Sequence, residues 1–161
     1  MARLPRTTNC LVCGRDNAHG LKLRLEVEPA TGVVMVRATP DPHHVGFVDV
    51  IHGGWTATVV DEAMAWAAAW PGKRFGFCVE MTNRFRKPVT PGRAVRVEAR
   101  ATTARSRLVE TVASVIDEET GEELSSASGK YMPMSIDQHG AVCEHFVDED
   151  DTREMATLFR G

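Results

Sequence analysis

The chain carries an acid in a stretch that holds almost nothing else polar. From Gly54 to Trp70 there is no proline and no further glycine, and alanine, valine, methionine and tryptophan dominate. That composition predicts a long apolar helix placed inside a domain. Asp61 has Ala57, Thr58, Met64 and Ala65 as its i±3 and i±4 neighbours, so its face offers one hydroxyl and no partner charge. Burial there disfavours the ionised carboxylate, which is how reactive carboxylates are commonly prepared. Just ahead stand His52, Gly53 and Gly54. The first N–H groups of a helix have no intrahelical partner and lie at the positive end of its dipole, and glycine lets a carbonyl oxygen approach them. This suits an oxyanion hole, with Asp61 roughly two turns along the same helix to flank one bound acyl group. The same residues suit equally well a loop-to-helix junction with an Asp hydrogen-bonded in a core. Glu62 points about a third of a turn away from Asp61 and is expected to be an N-terminal or interface carboxylate without catalytic weight.

The run His52-Gly53-Gly54, six residues, then Asp61, with Thr56-Ala57-Thr58 between, resembles the central-helix signature of hotdog-fold acyl-CoA thioesterases of the PaaI-like type. A second match opens the chain. Cys10, Cys13, Gly14, Asn17 and Gly20-Leu21 are similar to the C-x-x-C-G-x-x-N-x-x-G-L start of one branch of that family. His44-Val45-Gly46-Phe47 and Arg86-Lys87-Pro88-Val89 resemble the same branch, so the likeness spans about residues 10 to 134. It implies hydrolysis of an acyl-CoA thioester without a cofactor. The oxyanion would be held at Gly53, with Gly54 as a second donor, and Asp61 would act as nucleophile or base. His52 either holds the loop by hydrogen bonds or touches the thioester. Family members often carry an asparagine and a glycine where this chain has Gly46 and Asp49, and a serine or threonine where it has Cys78. Thr82, four residues along the same strand, is the nearest substitute hydroxyl. Gly46, Phe47, Cys78 and Thr82 are therefore expected at the acyl end, and Arg84, Arg86 and Lys87 at the CoA phosphates. A hotdog enzyme acting on carrier-protein thioesters, or a non-catalytic acyl-binding subunit, are the alternatives.

With 161 residues, 43% apolar, the chain reads as one hotdog domain with a core over about 20–134 and an acidic tail over 135–161. A formal charge of −3 and dispersed basic residues give no reason to expect a nucleic-acid partner. Neither a transmembrane span nor an apolar stretch behind the N-terminal arginines is present, so a cytoplasmic protein is expected. Four unevenly spaced cysteines then read as reduced thiols. Cys10, Cys13 and His19, completed by Cys143 and His145, would make a metal site only if a tail more than a hundred residues away folds back. The resemblance implies structural cysteines, and no metal is expected.

The elements that must position these residues follow from alternation and from breakers. Strands are predicted at Leu21–Glu28 and Gly32–Thr39, the helix ends at Pro71-Gly72, and four further strands run over about 75–87, 93–103, 107–117 and 123–132. Consecutive strands joined by short turns are antiparallel neighbours, and one apolar helix is available to cover them. The expected class is α+β, a long antiparallel sheet wrapped around a central helix. Such a sheet leaves edges open, so a homo-oligomer is expected, a dimer or a dimer of dimers, with the site at the subunit interface. Asp148 to Asp151 ahead of Met155, Leu158 and Phe159 predicts a short C-terminal helix capped by acids; a solvated, disordered tail suits the same residues.

Overall fold

The architecture is described for residues 1–161 from a computed structural model. Alternation does what it predicts along the long strands. In Leu108–Asp117, every second residue from Val109 onward is buried, so one face packs on the core and the other meets solvent. Seven strands form one antiparallel sheet: β1 (Ala2–Arg3), β2 (Leu25–Glu28), β3 (Val33–Ala38), β6 (Gly76–Phe85), β7 (Val95–Arg105), β8 (Leu108–Asp117) and β9 (Glu123–Pro133). Their spatial order is β1-β2-β3-β7-β8-β9-β6, which leaves β6 as a free edge. The helix α1 (Gly53–Ala69) lies on the inner face, where Val59, Val60, Ala63, Met64 and Ala67 are completely buried. No helix is long and apolar enough to cross a membrane.

Departures from the expected elements have local causes. The second strand starts at Leu25 and not at Leu21, because Lys22 adopts a left-handed φ of 54°. The N–H groups of Leu21 and Leu23 turn instead to the carbonyls of Leu11 and Val12, at 2.8 and 2.9 Å. Within the expected loop 40–51, a small hairpin forms from β4 (Val45–Phe47) and β5 (Val50–Ile51), with Asp49 at its turn in the left-handed region, φ 58°. The tail holds two helices, α2 (Ile136–Glu144) and α3 (Arg153–Arg160).

That tail is not capped as expected. Thr152 is the N-cap of α3 and makes no side-chain cap. The acids before it serve the N-terminal arginines: Glu149 pairs with Arg6 at 2.6 Å and Arg24 at 2.7 Å, and Asp151 pairs with Arg3 at 2.5 Å. Guanidinium groups on β1 and ahead of β2 outbid a helix terminus, since a charge-assisted pair is stronger than a dipole contact. Phe159 then inserts among Trp66, Trp70 and Phe75, with ring centroids 5.2, 6.2 and 5.5 Å away. At 2% exposure it is a core residue contributed by the tail. Phe159→Ala should therefore cost about 3–5 kcal/mol in urea unfolding monitored by tryptophan fluorescence. A loss under about 1 kcal/mol would mean that the tail is not docked.

Candidate active site

A cleft of about 600 Å³ opens at the N-terminus of α1, lined by Gly46, Phe47, His52, Gly53, Phe85, Arg86 and Lys87 among others. His52 is the N-cap: its Nδ1 accepts the Gly54 N–H at 2.9 Å, and its own N–H donates to the His44 carbonyl at 2.8 Å. A Cβ on Gly54 would lie 2.8 Å from that ring nitrogen, so residue 54 must be glycine for the cap to form. The Gly54 N–H is thus engaged and does not serve as the second oxyanion donor. No group of the chain accepts the Gly53 N–H, and Gly53 lines the cleft. Phe47 stands over the cleft with 81% of its surface exposed. Lys87 pairs with Glu122, and Arg86 with Glu123 at 2.9 Å, both on the rim.

Asp61 lies elsewhere. At 1.5 Å per residue it sits about 12 Å along the helix from Gly53, beyond the roughly 6 Å over which an oxyanion donor and a nucleophile can serve one carbonyl. Its Oδ1 accepts the Tyr131 hydroxyl at 2.7 Å, from β9. Tyr131 is 1% exposed, and burial together with this bond raises its pKa. Cys78, paired with Tyr131 across β6 and β9, faces the same carboxylate; burial and then the charge of Asp61 push its thiol up.

A β-bulge decides the neighbours. Cys78 pairs with Tyr131, but Glu80 pairs with Lys130, so one extra residue enters β6 and the alternation flips. Thr82 consequently pairs with exposed Ser128 on the outer face, not the face of Cys78. Arg84 follows it outward beside Ser126, away from the cleft that Arg86 and Lys87 rim. The expected roles of Thr82 and Arg84 within this face do not hold. Asp49 is exposed at the hairpin turn and lies outside the cleft lining.

Residues 49–124, just under half of the chain, match the family model of the thioesterase superfamily. That segment is similar to the thioesterase superfamily. Among solved structures, the thioesterase superfamily protein RHA08564 superposes with a TM-score of 0.71 at 22% identity over 77% of this chain and 63% of that one. The chain thus spans less than two thirds of that relative. The Streptococcus mutans protein smu.793, bound to acetyl CoA, gives 0.62 at 15% over 68% of this chain and 85% of that one. The E. coli PaaI protein of the phenylacetic acid degradation operon gives 0.61 at 17% over 65% and 75%. At these identities the likeness is one of fold, and that fold is the hotdog fold. No curated protein shows significant similarity to the chain.

The superfamily segment takes in Gly53, Gly54, Asp61, Cys78, Arg86 and Lys87 but not Gly46, Phe47 or Tyr131, nor the cysteines at 10 and 13. Tyr131 escaped the reading of the sequence because it is one inward residue among several on β9, and nothing local ties it to a helix seventy residues earlier. Glu62 is an enclosed carboxylate and not the N-terminal or interface one expected, for a similar reason. It lies beside Cys10 at 3.5 Å, and burial, then the charge of that sulfur, push its carboxyl up to about 8. The Tyr131–Asp61 bond sets a test. Tyr131→Phe keeps the shape but removes the donor to a charged acceptor and should cost about 1–2 kcal/mol, while Asp61→Asn, which keeps an acceptor, should cost about half that or less. Equal or reversed losses in urea unfolding would exclude this hydrogen bond.

Proposed function

We propose that the protein hydrolyses an acyl-CoA thioester at a site completed by a second copy of the chain. The observation that carries this is the separation of the two reacting groups. The free Gly53 N–H lies at the Phe85 end of β6, where a Cβ on residue 53 would touch the Phe85 ring at 3.3 Å. Asp61 lies at the Cys78 end of the same strand. β6 is an open edge, with Phe77, Val79 and Phe85 about half exposed. An unpaired apolar edge invites antiparallel pairing with its own copy. A twofold axis between Met81 and Thr82 would set Cys78 opposite the partner subunit's Phe85, and so bring Asp61 of one chain to the Gly53 N–H of the other.

In that arrangement the thioester carbonyl points at the Gly53 N–H, which together with the helix dipole stabilises the developing oxyanion. Asp61 either deprotonates a water that attacks the carbonyl and passes that proton to the departing CoA sulfur, or attacks the carbonyl itself to give an anhydride that water then hydrolyses, its proton ending on the CoA thiolate. Tyr131 holds Asp61 in position by its hydrogen bond. Gly46 and Phe47 shape the entrance, His52 keeps the loop closed by capping α1, and Arg86 and Lys87 on the rim receive phosphates. Acetyl CoA in the Streptococcus mutans relative supports this ligand class. Four free cysteines suit a reducing, cytoplasmic setting.

Against a panel of acyl-CoA thioesters with thiol detection, the protein should turn over at least one, and Asp61→Asn and Asp61→Ala should lower that rate by about two or more orders of magnitude. Full activity in folded Asp61→Ala would remove Asp61 from the mechanism. Saturable binding without turnover across the panel would make the protein an acyl-binding subunit.

A further inference from the structure

We propose that Cys10, Cys13 and Glu62 form a zinc site that ties the N-terminal loop to the central helix. One ligand atom from each of the three lies within 4.8 Å of the others, and Cys10 Sγ is 3.5 Å from Glu62 Oε2. A tetrahedral zinc with Zn–S of about 2.3 Å and Zn–O of about 2.0–2.2 Å separates sulfur from oxygen by about 3.6 Å. The spacing already present is that of a zinc coordination edge. The second Glu62 oxygen or a water completes four ligands.

The loop around the cysteines is built as a holder. Cys10 Sγ accepts the N–H groups of Val12 at 3.2 Å and Cys13 at 3.4 Å, which aim and stabilise a metal-binding sulfur. A Cβ on Gly14 would overlap the Cys10 carbonyl, so the turn closes only over glycine. Asn17 Nδ2 donates to the carbonyls of Asn9 and Cys10 at 3.2 and 3.4 Å, locking the loop from behind. Every chemically distinctive residue of the C-x-x-C-G-x-x-N run thus serves one small cage. Two thiolates select a soft divalent metal over magnesium or calcium. A disulfide between Cys10 and Cys13 would leave Glu62 with Trp66 alone as a partner, a costly end for a largely enclosed carboxylate.

This ligand set differs from the one suggested by sequence. His19 is exposed, and Cys143 packs on His139 and the Phe159 carbonyl. The third ligand comes from α1 itself, one residue after Asp61. A metal held there fixes the rotation of α1 at the reacting carboxylate and secures the loop that pairs with Leu21 and Leu23.

Protein purified without chelator should carry about one equivalent of zinc per chain by inductively coupled plasma mass spectrometry. After stripping, the chain should take up one equivalent of cobalt(II) with thiolate-to-cobalt charge-transfer absorption, and its Tm without metal should fall by more than about 5 °C. Glu62→Gln should weaken cobalt binding at least tenfold, and Cys13→Ser should abolish the charge-transfer band, whereas His19→Ala and Cys143→Ser keep both. No such band in the stripped wild-type chain under reducing conditions at excess cobalt would overturn the proposal, even if the cysteine variants fail to fold. So would a Glu62→Gln variant that binds as tightly as the wild type, or loss of the metal in His19→Ala.

Discussion

A helix that is covered on nearly every side cannot carry an unanswered charge, and α1 carries two. Asp61 and Glu62 sit in the middle of a segment whose other residues are almost all apolar, about 100° apart around the axis. Each therefore needs its own answer from outside the helix. For Asp61 the answer is the Tyr131 hydroxyl on β9 and the open edge at Cys78. For Glu62 it is the loop of Cys10 and Cys13. Much of the remaining structure can be understood as holding these two places steady: the sheet fixes Tyr131, the glycines and Asn17 fix the loop, and the tail closes the far end of the helix through Phe159.

The same helix has a second polar point, its N-terminus, and the chain uses the three donors there unequally. Gly54 is given to His52 as a cap, Trp55 donates to the His52 carbonyl at 2.9 Å, and Gly53 alone remains available at the cleft. A single chain thus holds a donor without a carboxylate in reach, and a carboxylate without a donor. Between them runs β6, unpaired along its whole outer side. The proposed second copy of the chain across β6 would answer both the free edge and the divided chemistry.

How much of this the sequence makes legible depends on the range of the interaction that decides each feature. α1 is readable because Gly53-Gly54 and Pro71-Gly72 bracket an apolar run, and the long strands are readable because alternation is a local signal. Lys22 shows where local reading fails: the Leu21–Val27 alternation continues through it, yet its left-handed backbone delays β2 to Leu25. Thr82 fails for a subtler reason, since a single extra residue at the Cys78–Glu80 bulge inverts every face beyond it. Tyr131, Glu62 with its cysteines, and Glu149 with Arg6 and Arg24 are contacts between residues about 50 to 143 positions apart. Composition can nominate such residues, but only the fold pairs them.

The proposed division of the site between two chains is tested most directly by mixing two variants, each inactive alone. Asp61→Ala removes the carboxylate, and Gly53→Val places a side chain against Phe85 and across the donor while leaving the carboxylate untouched. In a hybrid dimer one site carries both defects and the other neither. Random exchange to half hybrids should therefore restore about a quarter of the wild-type acyl-CoA hydrolysis. No recovery in a mixture whose hybrids are seen by native mass spectrometry would contradict a shared site, because each site would then draw both groups from a single chain.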